Sequence, residues 1–572
     1  MEDTNVKTKK KSTLTTDIIG ILCGVFIVVV GIAMAIAANA GKVAGLSDSE
    51  IPDGVPTLVG KAEGRNGEIT VQVRADANKI YQIRVLDEQE TKGIGSEAVK
   101  EIPKAIYDNQ SLQVDATSGA TITSDAIVKA VYNALDGGKI DPFKFGYRVV
   151  KADKIATVVS HGPENQTVQA VSADEWVADY DAWAEQHAYL YASYYAEDYP
   201  EIYASLMANE ENADHPSYLE SFPQLKSLYA GYPFSYDYDE ARGHAYVIDD
   251  VTETDRLHKK LEDGSLNPEI FQKANCFTCK SPVMSAIVNE TNEAAYAWDF
   301  ATMMTVVTEP VSCYTCHGTQ PGEFTVTQTY LAGGVGNDLE RIDGATLSCG
   351  QCHNEYYFMP GTNATTLPHT SLATMAPAEI LNYYNTNTAI FKTEEDGTKV
   401  PFYDFVNKIS GVKVIKVQHP ELETYLGEGS VHRGKFTCAD CHMGELPTAN
   451  GVTKNHTLTS PLDNEALIKS TCSECHTDLK ADVQAIQEKT LSRTREVADL
   501  LVELHNRIAE AAASGEYTDE ELEAIRAVAR DAQFYWDFVF VENSNGAHNS
   551  KLTYECLDKA QELTEQALGM FK

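Results

Sequence analysis

Ten of the twelve cysteines fall into five C-x-x-C pairs, at Cys276/Cys279, Cys313/Cys316, Cys349/Cys352, Cys438/Cys441 and Cys472/Cys475; only Cys23 and Cys556 stand outside the pattern. Four pairs are followed at once by histidine: His317, His353, His442 and His476. Two thiols at this spacing reach the two vinyl groups of one haem, and the adjacent imidazole meets the iron from the same face. One such motif could be chance; four together outweigh a zinc, thioredoxin-like or disulfide reading. The fifth pair reads Cys276-Phe-Thr-Cys279-Lys280, with lysine where the imidazole would be. Lysine ligates iron only as the neutral amine, so its proton must leave on binding. Taken alone, this pair is either a degenerate site without haem or a haem unlike the others.

A histidine count tests the haem reading. Of 15 histidines, four follow the C-x-x-C pairs, and four low-spin haems need four more on their distal sides. Candidates near the motifs are His244 in Arg242-Gly-His244, His432, His456 and His548. The remainder are His161, His187, His215, His258, His369 and His505, to which no role is assigned, and His419.

These groups need large folded bodies to hold them, and 572 residues supply several domains. The 46 Lys+Arg against 84 Asp+Glu leave a formal charge of −38, which repels phosphate backbones and rules out nucleic acid as a partner. Lys7, Lys9, Lys10 and Lys11 precede an uncharged run from Ile18 to Ala38, long enough to span a bilayer, which predicts a retained anchor with its N-terminus in the cytoplasm. The competing reading is a cleaved signal peptide ending at Ala38-Asn39-Ala40; either way the bulk lies outside the cytoplasm.

From Pro56 the texture is that of short strands, with Ile69, Val71 and Val73 alternating with polar residues. Ser118-Gly-Ala-Thr121 forms a small-residue turn ahead of the helical pattern Ala126, Ile127, Ala130, Val131, Leu135. With Glu90-Thr91-Lys-Gly93-Ile-Gly95, this segment resembles the FMN-binding domain in subunits of membrane redox pumps. The resemblance implies FMN held through a phosphoester bond on Thr121.

From Ala173 onward the chain resembles the ammonia-forming cytochrome c nitrite reductases. The resemblance rests on Ala230-Gly-Tyr-Pro-Phe-Ser, Ala241-Arg242-Gly-His244, the C-x-x-C-K motif first of five, Cys352-His353-Asn-Glu355-Tyr356-Tyr-Phe, and Lys416-Val-Gln418-His419-Pro420-Glu421. It implies five haem c groups and an active site over the Lys280-ligated haem, formed by Arg242, Tyr356 and His419. It also implies calcium on the Glu355 and Gln418 side chains and the Tyr356 and Lys416 carbonyls, oxygen donors that suit a hard cation. Nitrite is anionic and its six-electron reduction to ammonium consumes protons. Arg242 would supply fixed positive charge, His419 protons and hydrogen bonds, and Tyr356 a phenol. A locally positive inlet around Arg242 is therefore expected.

The last part is helical: Val483, Ile486, Val497, Leu500, Leu501, Leu504 and Ile508 recur at three- and four-residue steps, and Thr518-x-x-Glu521 is a capping box. In the family such helices form a homodimer contact.

The expected architecture is multidomain: a basic tail at 1–17, a transmembrane helix at 18–38, a linker at 39–55, a small α+β FMN-binding domain at 56–137, a linker at 138–172, and a mainly helical multihaem cytochrome c domain at 173–572 with long C-terminal helices. The expected chemistry is nitrite reduction to ammonium fed by a membrane-bound or surface electron donor through the flavin. The alternatives are an extracytoplasmic flavin and haem conduit without nitrite chemistry, or a reductase of hydroxylamine or sulfite.

Overall fold

The computed structural model describes residues 43–64, 66–88, 95–112, 114, 121–140, 142–145, 155–159, 172–254 and 272–572. The anchor expected at 18–38, the Glu90–Ile94 segment and Asp115–Ala120 lie outside these residues. Among the described residues no helix is long and apolar enough to cross a membrane. The chain divides into two compact units, one within 1–149 and one within 150–572.

In the first unit, β1 (Val43–Gly45), β2 (Thr57–Glu63), β3 (Glu68–Ala75) and β4 (Ile80–Asp87) form an antiparallel sheet in the order β1-β4-β3-β2. The alternation read in the sequence is that of β3: Ile69, Val71, Val73 and Ala75 are fully buried and the residues between them are not. Two helices cover that face, α1 (Gly95–Asn109) and α2 (Thr121–Gly137). They bury Val99, Ile102 and Ile106, and Ile127, Val131 and Leu135, at helical spacing. α2 lies so close to β2 that a Cβ on Gly60 would come within 2.0 Å of the Ala130 carbonyl oxygen. Only glycine fits there.

The second unit is mainly helical, with strands of two to four residues. Three long helices carry its largest core: α3 (Leu479–Ser514), α4 (Asp519–Phe540) and α5 (Ser550–Leu568). α3 stops at Gly515, in the left-handed region at φ +70°, and α4 starts from the expected Thr518/Glu521 capping box. The α3 stripe of Val497, Leu501, Leu504 and Ile508 is fully buried within the chain itself, in one cluster with α4 and α5 residues. Its periodicity thus has an intramolecular cause.

Trp536 of α4 is fully buried, with its indole N–H donating to the Thr494 carbonyl at 2.8 Å. Trp536→Ala should cost about 3–5 kcal/mol, since the site cannot collapse onto so large a void. The denaturant midpoint of the helical signal would show it, and a shift below about 1 kcal/mol would mean the core relaxes freely.

Candidate functional site

The five C-x-x-C pairs sit on or beside single helical turns, where residues three apart share a face. Cys313–His317 and Cys438–His442 are short helices opened by capping boxes from Ser312/Thr315 and Thr437/Asp440. The middle residues of the motifs, Thr315 and Asp440, thus fold the turns that aim the thiols. Cys349 lies at the end of the helix Gly344–Gly350, and Cys472 opens a 3-10 turn. Cys276 belongs to the 3-10 turn Ala274–Phe277, and Lys280 precedes Ser281, whose hydroxyl caps the helix Pro282–Glu290.

The ten thiols expected to carry haem are not equally enclosed. Nine are partly buried, whereas Cys475 is exposed. The cause is local. Cys475 closes the 3-10 turn Cys472–Glu474, its N–H donating to the Cys472 carbonyl at 3.1 Å, and so short a turn gives its thiol little cover of its own. Its neighbours Ser473 and Thr477 are exposed as well. The fifth motif is therefore at the solvent edge, and Cys475 is the thiol that packing does least to position.

The turns form a connected series. Cys279 and Cys352 are close neighbours, as are Cys349 and Cys438. Cys472 is near enough to Cys441 to raise its thiol pKa. The second and third motifs are joined by Gln351, whose amide donates to the Thr315 carbonyl at 2.7 Å while its oxygen accepts the Thr327 and Gln328 N–H groups. Gln328 in turn donates to the Thr278 carbonyl in the first motif at 2.6 Å. Both amides are buried. Gln351 is an x of C-x-x-C, a position that the motif leaves open, so no sequence signal marked its role.

Each histidine following a C-x-x-C pair faces one of the four distal candidates. Ring centres are 6.1 Å apart for His244/His353, 6.3 Å for His317/His456, 6.1 Å for His432/His476 and 6.1 Å for His442/His548. A metal about 2 Å from one nitrogen of each imidazole sets the ring centres roughly 6 Å apart, so each pair is spaced to hold an iron between its rings. His353 also stands 6.3 Å from His419, so for that ring spacing alone does not choose the partner. His505 is buried between Ser410 and Gln533, and His187 pairs with Glu290, both away from these pairs.

Lys280 lies within electrostatic reach of His419, and Tyr356 lies near Cys276 and Cys279 of the same motif. The Lys280 charge acts on His419, His353 and His244. Tyr356 packs against the same apolar cluster as Cys279, and enclosure pushes its phenol pKa well up, so it stays protonated. His419 is lowered to about 4, chiefly by burial, and is neutral at pH 7. Its Nδ1 is enclosed with no hydrogen-bond partner among the described residues. A buried polar nitrogen left open in this way suits a ligand that supplies the missing partner.

Arg242 has other partners. Its Nε donates to Asp250 Oδ1 at 2.6 Å and its backbone N–H to Oδ2 at 3.0 Å, while the guanidinium lies 4.5 Å from the Tyr246 ring centre. Glu253 stands 3.9 Å away and also lines an open cleft of ≈ 550 Å³ with Asp249, Thr252, Met304 and Thr308. Arg242, Lys280, Tyr356 and His419 are not among the residues that line this cleft, so it is not the inlet expected around Arg242. Asp250 is the carboxylate that answers the Arg242 charge directly.

The implied calcium ligands converge. Glu355 is fully buried; it accepts the Tyr384 hydroxyl at 2.9 Å and the Gln418 N–H at 2.6 Å. The Gln418 amide donates to the Lys416 carbonyl at 2.9 Å. Burial pushes the Glu355 carboxyl well above its usual range, and the neighbouring Glu423 and Asp404 carboxylates add to the effect. Among the described residues no cluster of three or more His, Cys, Asp or Glu is spaced for a metal ion, so a cation here would rest on one carboxylate, an amide and carbonyls. That donor set fits calcium.

Sequence reasoning missed what supports this loop. Asp537 of α4 accepts the Val417 N–H at 2.9 Å and the Tyr229 hydroxyl. The Lys416 ammonium donates to the Val417 carbonyl at 2.6 Å and lies 5.3–5.8 Å from the rings of Tyr229, Phe234 and Tyr238. Behind Glu355, His369 pairs with Glu423 at 2.8 Å, and Glu423 also accepts the Glu355 N–H. Thr121 is the first residue of α2.

Residues 179–571 match the cytochrome c552 family and residues 64–136 the FMN-binding domain family. A cytochrome c nitrite reductase subunit NrfA from Nitratidesulfovibrio vulgaris is 31% identical over 409 residues, covering 66% of this chain and 76% of the relative. The catalytic subunit of cytochrome c nitrite reductase from Desulfovibrio desulfuricans, in a structure described for its two calcium sites, superposes with a TM-score of 0.59 and 28% identity. The match covers 67% of this chain and 86% of that one.

Proposed function

The chain belongs to the cytochrome c552 family, with the cytochrome c nitrite reductases, and carries an FMN-binding domain ahead of that region; from this we propose that it reduces nitrite to ammonium outside the cytoplasm at a Lys280-ligated haem. One observation carries the reading: a buried histidine, His419, lies within reach of the Lys280 charge, and its Nδ1 has no partner among the described residues. The other four motifs supply imidazoles that face a second imidazole, the arrangement of electron carriers.

Cys276, Cys279 and Lys280 would hold the lysine-ligated haem, which when bound would supply nitrite with electrons. Lys280 releases its ammonium proton so that Nζ presents a lone pair. His419, neutral at pH 7, would donate a hydrogen bond to a nitrite oxygen; with the anion beside it the ring would take up a proton from solvent and pass that proton to the oxygen as the N–O bond breaks. The Tyr356 phenol remains protonated and supplies a second hydrogen bond from Oη. Asp250 holds Arg242 by Nε and by its backbone, which fixes how the remaining guanidinium donors point. Calcium on Glu355, Gln418 and the Lys416 and Tyr356 carbonyls would stiffen the two segments that carry Tyr356 and His419.

We assign the upstream parts likewise. FMN on Thr121 would place its phosphate at the N-terminus of α2, where the first-turn N–H groups and the helix dipole favour an anion. The uncharged run at 18–38 would anchor the chain, with 56–137 and 173–572 as flavin and haem domains. Electrons would pass from a membrane or surface donor through the flavin to the four bis-histidine haems. A homodimer is part of the proposal.

The direct test is turnover of nitrite by the purified holoprotein with a reduced dye, with ammonium quantified. Stoichiometric ammonium is expected. No ammonium, with all haems low-spin, would overturn the assignment.

Calcium makes its own prediction. Without the cation, the raised Glu355 pKa means that the folded state holds a proton which the unfolded chain, titrating near about 4.3, does not. Stability is then lost as pH rises above that value. Chelation should therefore lower the thermal midpoint, and by more at about pH 8 than at about pH 6. Equal loss at both would place the cation elsewhere.

A further inference from the structure

The imidazoles assigned to iron differ in what their outer nitrogen meets. His317 Nδ1 donates to the Glu323 carbonyl at 2.7 Å, His456 Nδ1 to the Lys454 carbonyl at 2.9 Å and His442 Nδ1 to the Thr459 carbonyl at 3.1 Å. His353 and His476 have carboxylates only at 3.9 and 3.6 Å, beyond hydrogen-bond length. His548 is the exception, donating from Nδ1 to Glu542 Oε1 at 2.6 Å. Glu542 is 3% exposed, and its other oxygen accepts the Ser544 hydroxyl at 2.6 Å, so the carboxylate is fixed in place.

We propose that Glu542 tunes the haem held by Cys438 and Cys441, making it the more reducing of two otherwise similar sites. The contrast is with the haem on Cys313 and Cys316, whose two imidazoles, His317 and His456, both donate to neutral carbonyls. A carboxylate acceptor draws the Nδ1 proton toward itself and makes the other ring nitrogen a stronger donor to iron. That favours the ferric over the ferrous state and lowers the potential of the one-electron couple, in which one electron from a neighbouring site enters and no bond breaks. The fourth motif lies between the third and the fifth, through Cys349/Cys438 and Cys441/Cys472. A low-potential site there sheds electrons toward its neighbours rather than storing them.

The inference rests on His442 and His548 being the axial pair of that haem, and the experiment separates the two. Redox titration of the full-length holoprotein, followed by electron paramagnetic resonance, is compared with Glu542→Gln, which keeps shape and hydrogen bonding but removes the charge. One low-spin signal should shift to higher midpoint while the others stay. No shift, or an equal shift of every haem, overturns the tuning role; a merely structural Glu542 would not move one potential alone. His548→Ala should convert that same signal to high-spin. If every low-spin signal survives it, the axial assignment fails instead. Should Glu542→Gln not load its haems, Glu542→Asp is read in its place: the longer reach from the retained charge should raise the same midpoint, and an unchanged midpoint overturns the role.

Discussion

His419→Asn lowers ammonium formation from nitrite by about 10²–10⁴-fold while leaving the haem content and low-spin spectrum intact. The size of the loss follows from what asparagine keeps and removes. Its amide can still donate a hydrogen bond from a similar position, so binding of the anion suffers least. It cannot exchange a proton at any accessible pH. His419 is built for that exchange: burial lowers it to about 4, whereas the nearby Glu421 carboxylate favours the protonated ring, and Lys280 and His353 oppose it. An anion arriving in the pocket adds to the Glu421 influence, so the imidazole gains basicity when the substrate is present. Turnover of the variant should lose the pH dependence that this group imposes. A kcat within about threefold of the parent would remove His419 from the proton path, and a changed low-spin spectrum would show that it is instead a partner of His353, from which it stands 6.3 Å.

Thr121→Ala should abolish nitrite reduction driven by the physiological donor and leave dye-driven reduction unchanged. The threonine hydroxyl is the only atom through which the proposed phosphoester can form, and alanine leaves none. The dye delivers electrons directly to the haems and bypasses the flavin. The unit that holds Thr121 has its own core, centred on Ile69, Val71, Val73, Ile102, Ile127 and Val131. The two assays on one preparation therefore divide the outcomes. Equal loss in both would make Thr121 structural, and no loss in either would place electron entry downstream of the flavin.

Much of this was legible because it is local. A C-x-x-C-H run needs only one helical turn to present its thiols and imidazole together, and the capping residues that make the turn lie inside or beside the motif, as Thr315 and Asp440 do. The alternation of Ile69, Val71 and Val73 marks a half-buried strand for the same reason, since its period is that of the backbone. The sequence by itself determined five C-x-x-C pairs, one marked by lysine, a flavin-type domain ahead of them, and an acidic chain unsuited to nucleic acid.

Tertiary structure decided everything that joins distant residues. The five motifs read alike in spacing, yet only the fold leaves Cys475 exposed while enclosing the other nine thiols in part, because enclosure depends on what packs over a turn. His317 meets His456, and His442 meets His548, only because the chain between them folds back. The order of contact among the motifs follows from Gln351, Gln328 and the paired thiols, which no spacing rule marks. Arg242 reads from the sequence as bare positive charge, and its hold by Asp250 appears only once the short turns between them bring the carboxylate back to Nε. The loop of Lys416, Gln418 and His419 looks free-standing in the sequence. In the fold it is clamped by Asp537 from a helix far along the chain, because a buried backbone N–H must find an acceptor wherever packing brings one near.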